Sequence, residues 1–163
     1  VSSESGTTRD SIEVQIKSRD KDIILIDTAG VRKKSSVVAQ VEKFSVGQSL
    51  EAAKKSNVVI YLIDAQEPLV DQDMHLLGLI LSLGRPVILV ANKIDLLKKE
   101  QQKELTKLVK RKLDFAKFIS LHLISAKNST GIKSLIKLAQ NAYFSSIKDL
   151  GTNLLNKILS FSV

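Results

Sequence analysis

Val87-Ile88-Leu89-Val90-Ala91-Asn92-Lys93-Ile94-Asp95 decides the fold: an unbroken apolar run, rich in β-branched residues, passes directly into a short polar string. A run of this kind reads as a strand covered on both faces, hence parallel and interior to a sheet. Open parallel sheets present ligand contacts just outside the carboxyl ends of their strands. Asn92 and the residues after it therefore stand where a site is expected.

The same pattern recurs on either side. Residues 23–26 and 58–63 are continuous apolar runs, 119–124 is apolar apart from Ser120 and His122, and each reads as a covered parallel strand. Asp27 directly follows the first and Ser125 the last, where ligand contacts are expected. Residues 11–18 differ. There Ile12, Val14 and Ile16 alternate with polar residues, as in a half-exposed strand. Between the strands lie helical spacings: Val37, Val41 and Phe44; Met74, Leu77 and Leu81; Leu105, Leu108, Val109 and Leu113; Leu135, Leu138, Ala139, Ala142 and Tyr143. The third of these has an opposite face carrying Lys103, Lys107, Lys110 and Arg111, either a solvated surface or a polyanion contact. Strand and helix alternate, so the class is α/β, a three-layer, mostly parallel sheet with helices on both faces. Asp149-Leu150-Gly151-Thr152 reads as a helix stop and a new N-cap, and a second apolar helix starts with Leu154, Leu155 and Ile158.

Composition bounds the rest. At 163 residues, 44% hydrophobic and 26% charged, the chain has one domain's worth of ordinary globular sequence. It holds no apolar run of the roughly 18 residues that a membrane span needs, and residues 1–10 contain no apolar segment of a secretory leader. Cysteine is absent, which removes disulfides and thiolate metal sites and fits a cytosolic location. His75 and His122 have no metal-ligand spacing around them and read as surface or packed histidines. The net charge of +8 favours polyanionic partners, nucleic acid first.

Four strings carry chemistry: Gly6-Thr7-Thr8-Arg9-Asp10, Asp27-Thr28-Ala29-Gly30, Asn92-Lys93-Ile94-Asp95 and Ser125-Ala126-Lys127. A carboxylate at Asp27 can hold Mg²⁺ through water, and Gly30 lets its backbone N–H approach a γ-phosphate closely. Asp95 can accept from both the ring N1–H and the exocyclic amine of guanine. Adenine, with no proton on N1, would leave the carboxylate under-satisfied, and sites built on hydrogen bonds reject such a mismatch strongly. Lys93 can lie over the base or ribose, Asn92 can tie neighbouring loops, and the Ala126 N–H would face the guanine O6. A Thr hydroxyl in the first string could complete a magnesium shell. In this order the strings fit a guanine-nucleotide site. The phosphate-cradling G-x-x-x-x-G-K-S/T loop that should precede them is not among the 163 residues.

Taken together, these strings resemble the Der (EngA) family of tandem GTPases, and specifically its second GTP-binding domain. The more selective matches are Asp27-Thr28-Ala29-Gly30-Val31-Arg32-Lys33-Lys34 with Val41-Glu42-Lys43-Phe44-Ser45-Val46, and the tail Gly151-Thr152-Asn153-Leu154-Leu155-Asn156-Lys157-Ile158. The resemblance implies a domain over residues 1–149 without its first strand, phosphate loop and first helix, then the opening helix of a KH-like domain over 150–163. It implies Thr8 and Asp27 as magnesium ligands. It also implies Thr28, Ala29 and Gly30 at the phosphates, Asn92, Lys93 and Asp95 as guanine readers, and Ser125, Ala126 and Lys127 as the supporting loop. GTP, GDP and Mg²⁺ are the implied ligands, and ribosomal RNA and the large ribosomal subunit the implied partners; no oligomeric state is implied. Ras-like enzymes place a water-orienting Gln where Val31 stands, and the resemblance implies a substitute such as K⁺ held by carbonyls of residues 2–5.

The resulting expectation is a GTPase switch acting in large-subunit assembly, in a segment that alone binds GTP weakly and does not hydrolyse it. Two alternatives stand beside it. One is a GTPase of the related TrmE or Era type, disfavoured by the Glu42 to Val46 string and the tail. The other is an RNA- or ribosome-binding module indifferent to nucleotide, in which the guanine-reading residues would have no reason to look intact.

Overall fold

The computed structural model describes residues 12–16, 22–27, 39–148 and 160. Five strands and four helices lie among them: β1 (Ile12–Ile16), β2 (Ile23–Asp27), α1 (Ala39–Lys55), β3 (Val59–Asp64), α2 (Asp71–Ser82), β4 (Val87–Asn92), α3 (Lys99–Lys112), β5 (Leu121–Leu123) and α4 (Ile132–Ser146). Strands β3, β4 and β5 form a parallel sheet in that order, with β4 in the middle.

The central strand explains why a continuous apolar run was needed. Its side chains alternate between two cores. Leu89 and Ala91 join Ile63 and Leu77 with Leu105 and Val109 of α3 on one face, while Ile88 and Val90 join Ile124 and Leu135 of α4 on the other. Leu77, Leu89 and Val90 are fully buried, each stabilising the fold by about 2 kcal/mol relative to exposure. With α2 and α3 on one face and α4 on the other, the arrangement is the expected three-layer α/β sandwich.

Local chemistry sets the helix ends. Gln101 Oε1 accepts the Lys98 N–H at 2.8 Å to start α3, and Lys110, Arg111 and Lys112 end it where the helix dipole favours cations. The buried Asp73 accepts the Val70 N–H at 2.9 Å and the Tyr61 hydroxyl at 3.1 Å, which ties the start of α2 to β3. The Lys112 ammonium donates to the carbonyl of Leu69, a buried residue with φ of 38°.

Two expectations need correcting. Residues 23–26 do not lie in a parallel pairing among the described residues: β2 pairs antiparallel with β1, Ile16 opposite Ile23, and Ile24 and Leu25 are exposed. Residues 58–63 are parallel as expected, yet β3 has a neighbour on one side only, and Ile60 and Leu62 are 37% and 56% exposed. An apolar run reports that a segment is suited to being covered. It does not report which strand covers it. Smaller differences are that β5 is shorter than the run 119–124, and that α3 begins before Lys103.

Candidate functional site

The register of the parallel sheet places Asp64 beside Asn92 at the carboxyl ends of β3 and β4, with the loop after β5 next in line. The strand-end rule is thus met by geometry: Asn92, Lys93, Asp95, Ser125, Ala126 and Lys127 converge on one edge.

Beyond β4 the chain turns sharply, because Lys93 adopts a left-handed conformation with φ of 68°. A side chain there costs on the order of 1 kcal/mol, offset by what the turn brings together. Residues Ile94–Leu96 form a single 3-10 turn, and the Ile94 N–H donates to the Ile124 carbonyl at 3.2 Å. That bond locks the Asp95 segment to the end of β5.

Ser125 is buried, and its hydroxyl donates to Asp95 Oδ1 at 2.5 Å while accepting the Asn128 N–H at 3.2 Å. The amide can only donate, so the serine hydrogen is directed at the carboxylate. Asp95 itself is exposed. Each carboxylate oxygen has two acceptor positions, so the exposed carboxylate is held in place with acceptor capacity to spare. Beside it, Asn92 Oδ1 accepts the Ala126 N–H at 2.9 Å, clasping the end of β4 to the loop after β5.

That clasp revises one expectation. The Ala126 N–H, expected to face a ligand carbonyl, is already engaged by Asn92. The neighbouring Lys127 N–H has no partner among the described residues.

The loop is closed by reciprocal backbone bonds between Ser125 and Thr130, at 3.1 and 3.0 Å, and is followed by Gly131 with φ of 79°. The Gly131 carbonyl accepts from Leu135 N–H and Ser134 Oγ, and lies 3.0 Å from His122 Nε2. A carbonyl cannot donate, so Nε2 carries the hydrogen. His122 is a packed histidine and His75 an exposed one, as their sequence context suggested.

Sequence reasoning missed Asp64, whose Oδ2 pairs with the Lys93 ammonium at 2.6 Å while Oδ1 accepts the Gln66 N–H. The signal was available: Asp64 follows the run 58–63 just as Asn92 follows 87–91. Its hydrogen bond and charge raise the Lys93 pKa above the ordinary 10.5. The folded chain holds that proton more tightly than the unfolded one. The pair's contribution is therefore complete below about 10.5 and is lost as pH rises through the higher folded-state value. Asp64→Asn is expected to change stability by less than about 1 kcal/mol, since the Lys93 ammonium side of the pair is exposed to solvent. The effect should be constant from pH 6 to 9 in thermal melts; a stability difference that vanishes within that window would discard the pairing as its cause.

Asp27 is the last residue of β2. Thr8, Thr28, Ala29 and Gly30 lie outside the described residues, as do Val31 and the tail 150–163 apart from Ser160. Among the described residues no cluster of three or more His, Cys, Asp or Glu could hold a metal, and no helix is long and apolar enough to cross a membrane.

A carboxylate fixed by a buried hydroxyl, beside an asparagine clasp, thus stands at the carboxyl ends of the parallel strands, where an open α/β sheet presents ligand contacts. The family model described as "50S ribosome-binding GTPase" matches residues 1–93, and the chain belongs to that family. Among its relatives, the GTPase Der of Saccharophagus degradans is 43% identical over 158 residues, spanning 97% of this chain and 34% of that protein. The GTPase Der of Pseudoalteromonas atlantica is 42% identical over 157 residues, spanning 96% and 33%. The chain thus spans about a third of the length of the curated relatives it matches. Among solved structures, Era in complex with MgGDPNP and nucleotides 1506-1542 of 16S ribosomal RNA superposes with a TM-score of 0.71 at 24% identity, over 87% of this chain and 47% of that one. A probable GTP-binding protein engB gives 0.62 at 20% identity, over 86% and 85%. Both share the fold.

Proposed function

We propose that the chain is the guanine-reading part of a GTP-binding and GTP-hydrolysing switch that acts in assembly of the large ribosomal subunit in the bacterial cytoplasm. The observation that carries this reading is the Asp95 carboxylate, held by the buried Ser125 hydroxyl beside the Asn92–Ala126 clasp. Guanine presents a protonated ring nitrogen next to an exocyclic amine, and a single carboxylate accepts from both. Lys93, steadied by Asp64, covers the base or ribose. With the Ala126 amide engaged, the Lys127 amide is the donor left for the guanine carbonyl.

Thr8 and Asp27 supply a hydroxyl and a carboxylate, hard oxygen donors of the kind Mg²⁺ takes, with water between the metal and Asp27. The metal, when bound, adds positive charge at the phosphates. The amides of Thr28, Ala29 and Gly30 line the γ-phosphate side. Val31 has no group to orient water, and a K⁺ ion, if bound, would supply further positive charge at the phosphates. Residues 1–149 form the nucleotide domain and correspond to the second such domain of a tandem protein; residues 150–163 begin a KH-like domain. The family's description and the net charge of +8 support ribosomal RNA and the large subunit as partners.

The full-length protein is expected to bind fluorescent GDP and to release it to GTP but not to ATP. Equal displacement by both would overturn the reading. The 163-residue segment alone, without a G-x-x-x-x-G-K-S/T loop, is expected to bind GDP weakly and to leave GTP unhydrolysed; micromolar affinity for the segment would overturn that part.

A further inference from the structure

Lys99, Lys103, Lys107 and Lys110 form one stripe along α3, flanked by Arg111, and all five are exposed. They lie opposite the face on which Leu105 and Val109 are buried. None of the five has an ion pair among the described residues. The helix rises 1.5 Å per residue, so successive cations stand about one turn apart, a separation comparable to that of neighbouring phosphates on an extended strand.

The segment after α3 has its own spacing. Leu113, Ala116 and Ile119 recur every third residue and are buried, the period of the 3-10 turn Asp114–Ala116. Asp114 and Lys117 form a second column, paired at 2.9 Å. Phe115 and Phe118 form the third, and they are 61% and 78% exposed. Two phenylalanines are thus held out of the core at the end of a cationic stripe.

We propose that this composite face binds single-stranded RNA: the α3 cations track the phosphates, and Phe115 and Phe118 stack on unpaired bases. The class of polyanion rests on the ribosomal reading above; the face itself is separate from the Asp95 corner. A lipid surface is disfavoured because the apolar face of α3 is already committed to the core. Duplex RNA offers no open base face for the rings. Five unpaired cations suit a polyanion far better than an apolar protein surface.

The test uses full-length protein saturated with GDP, a labelled single-stranded RNA and a duplex of equal length. The triple variant Lys103→Gln, Lys107→Gln, Arg111→Gln is expected to weaken single-strand binding at least tenfold and to reduce the salt slope by about 2. The double variant Phe115→Leu, Phe118→Leu is expected to weaken it about tenfold while leaving the slope unchanged. GDP affinity and melting temperature should be unchanged in both. Ultraviolet crosslinking of the unsubstituted protein, which needs no variant, should map to the segment 103–118. Unaltered RNA affinity in both variants, tighter binding of duplex than of single strand, or crosslinks confined elsewhere would each overturn the proposal. So would variants that lose self-association in place of RNA binding, since the face would then belong to a protein partner. GDP binding retained alongside any of these outcomes leaves the guanine-switch reading standing. RNA binding at this face in a protein without guanine preference would sink that reading alone.

Discussion

Asp95→Asn in the full-length protein is expected to weaken GTP and GDP binding roughly 100- to 1,000-fold, with little effect on folding. The two effects separate because the residue has two kinds of partner. Towards the protein it is an acceptor, taking the Ser125 hydroxyl hydrogen at 2.5 Å, and an amide oxygen accepts that bond equally well. Towards the base it must accept twice, and an amide offers one acceptor and one donor. Of two hydrogen bonds to a charged group, each worth about 1.5–3 kcal/mol, one is inverted into a donor facing a donor and the other loses its charge. The new amide donor would suit a base with a carbonyl where guanine has its amine, so xanthosine diphosphate should gain affinity in the variant. Competition binding with GDP, XDP and ADP reads all of this directly. Undiminished GDP preference would remove Asp95 from the guanine contact and take the proposed function with it.

The second large effect is at Gly131. An added methyl would stand 2.6 Å from the Leu123 carbonyl oxygen and 3.0 Å from Ile124 Cγ2, at a φ of +79°. The first obstacle is backbone at the end of β5, so it cannot swing aside. The cost of the clash and the strained backbone is about 2–4 kcal/mol for Gly131→Ala, which corresponds to a melting temperature lower by about 5–15 °C in a chain of this size. Part of the strain should reach the site, because Gly131 directly follows the Ser125–Thr130 closure that seats the Ser125 hydroxyl on Asp95. GDP affinity should therefore fall in the same variant. Gly47→Ala is the control: it lies within α1 with nothing within 4 Å of the added carbon, and should be neutral or slightly stabilising. Equal melting temperatures for the two variants would mean that the loop tolerates a side chain and that Gly131 is not what positions it.

Much of this was legible from pattern. The period of the apolar residues picked out α2, α3, α4 and the central strand, because a β-branched run and an i, i+3, i+7 spacing each fit one backbone geometry. The polar strings after residues 87–91 and 119–124 share one edge, since parallel strands run in one direction and bring their carboxyl ends together. The reading failed where a neighbour had to be known. Residues 23–26 looked interior, yet β2 pairs antiparallel with β1; residues 58–63 looked covered, yet Ile60 and Leu62 are exposed. Asp64 escaped notice because its partner, Lys93, is remote in sequence and meets it only across two paired strands.

Residue order alone was enough to determine an α/β chain and to nominate a candidate guanine corner after its central strand, because hydrophobic period and the donor and acceptor inventory of side chains are local properties. Whether Ala126 offers its amide outward, which cation steadies Asp64, and that Phe115 and Phe118 face solvent depended on the packed molecule. Each is a question of which groups meet across a turn or a sheet register. Such meetings follow from the backbone path, through the left-handed Lys93 and Gly131, and no spacing along the chain encodes them.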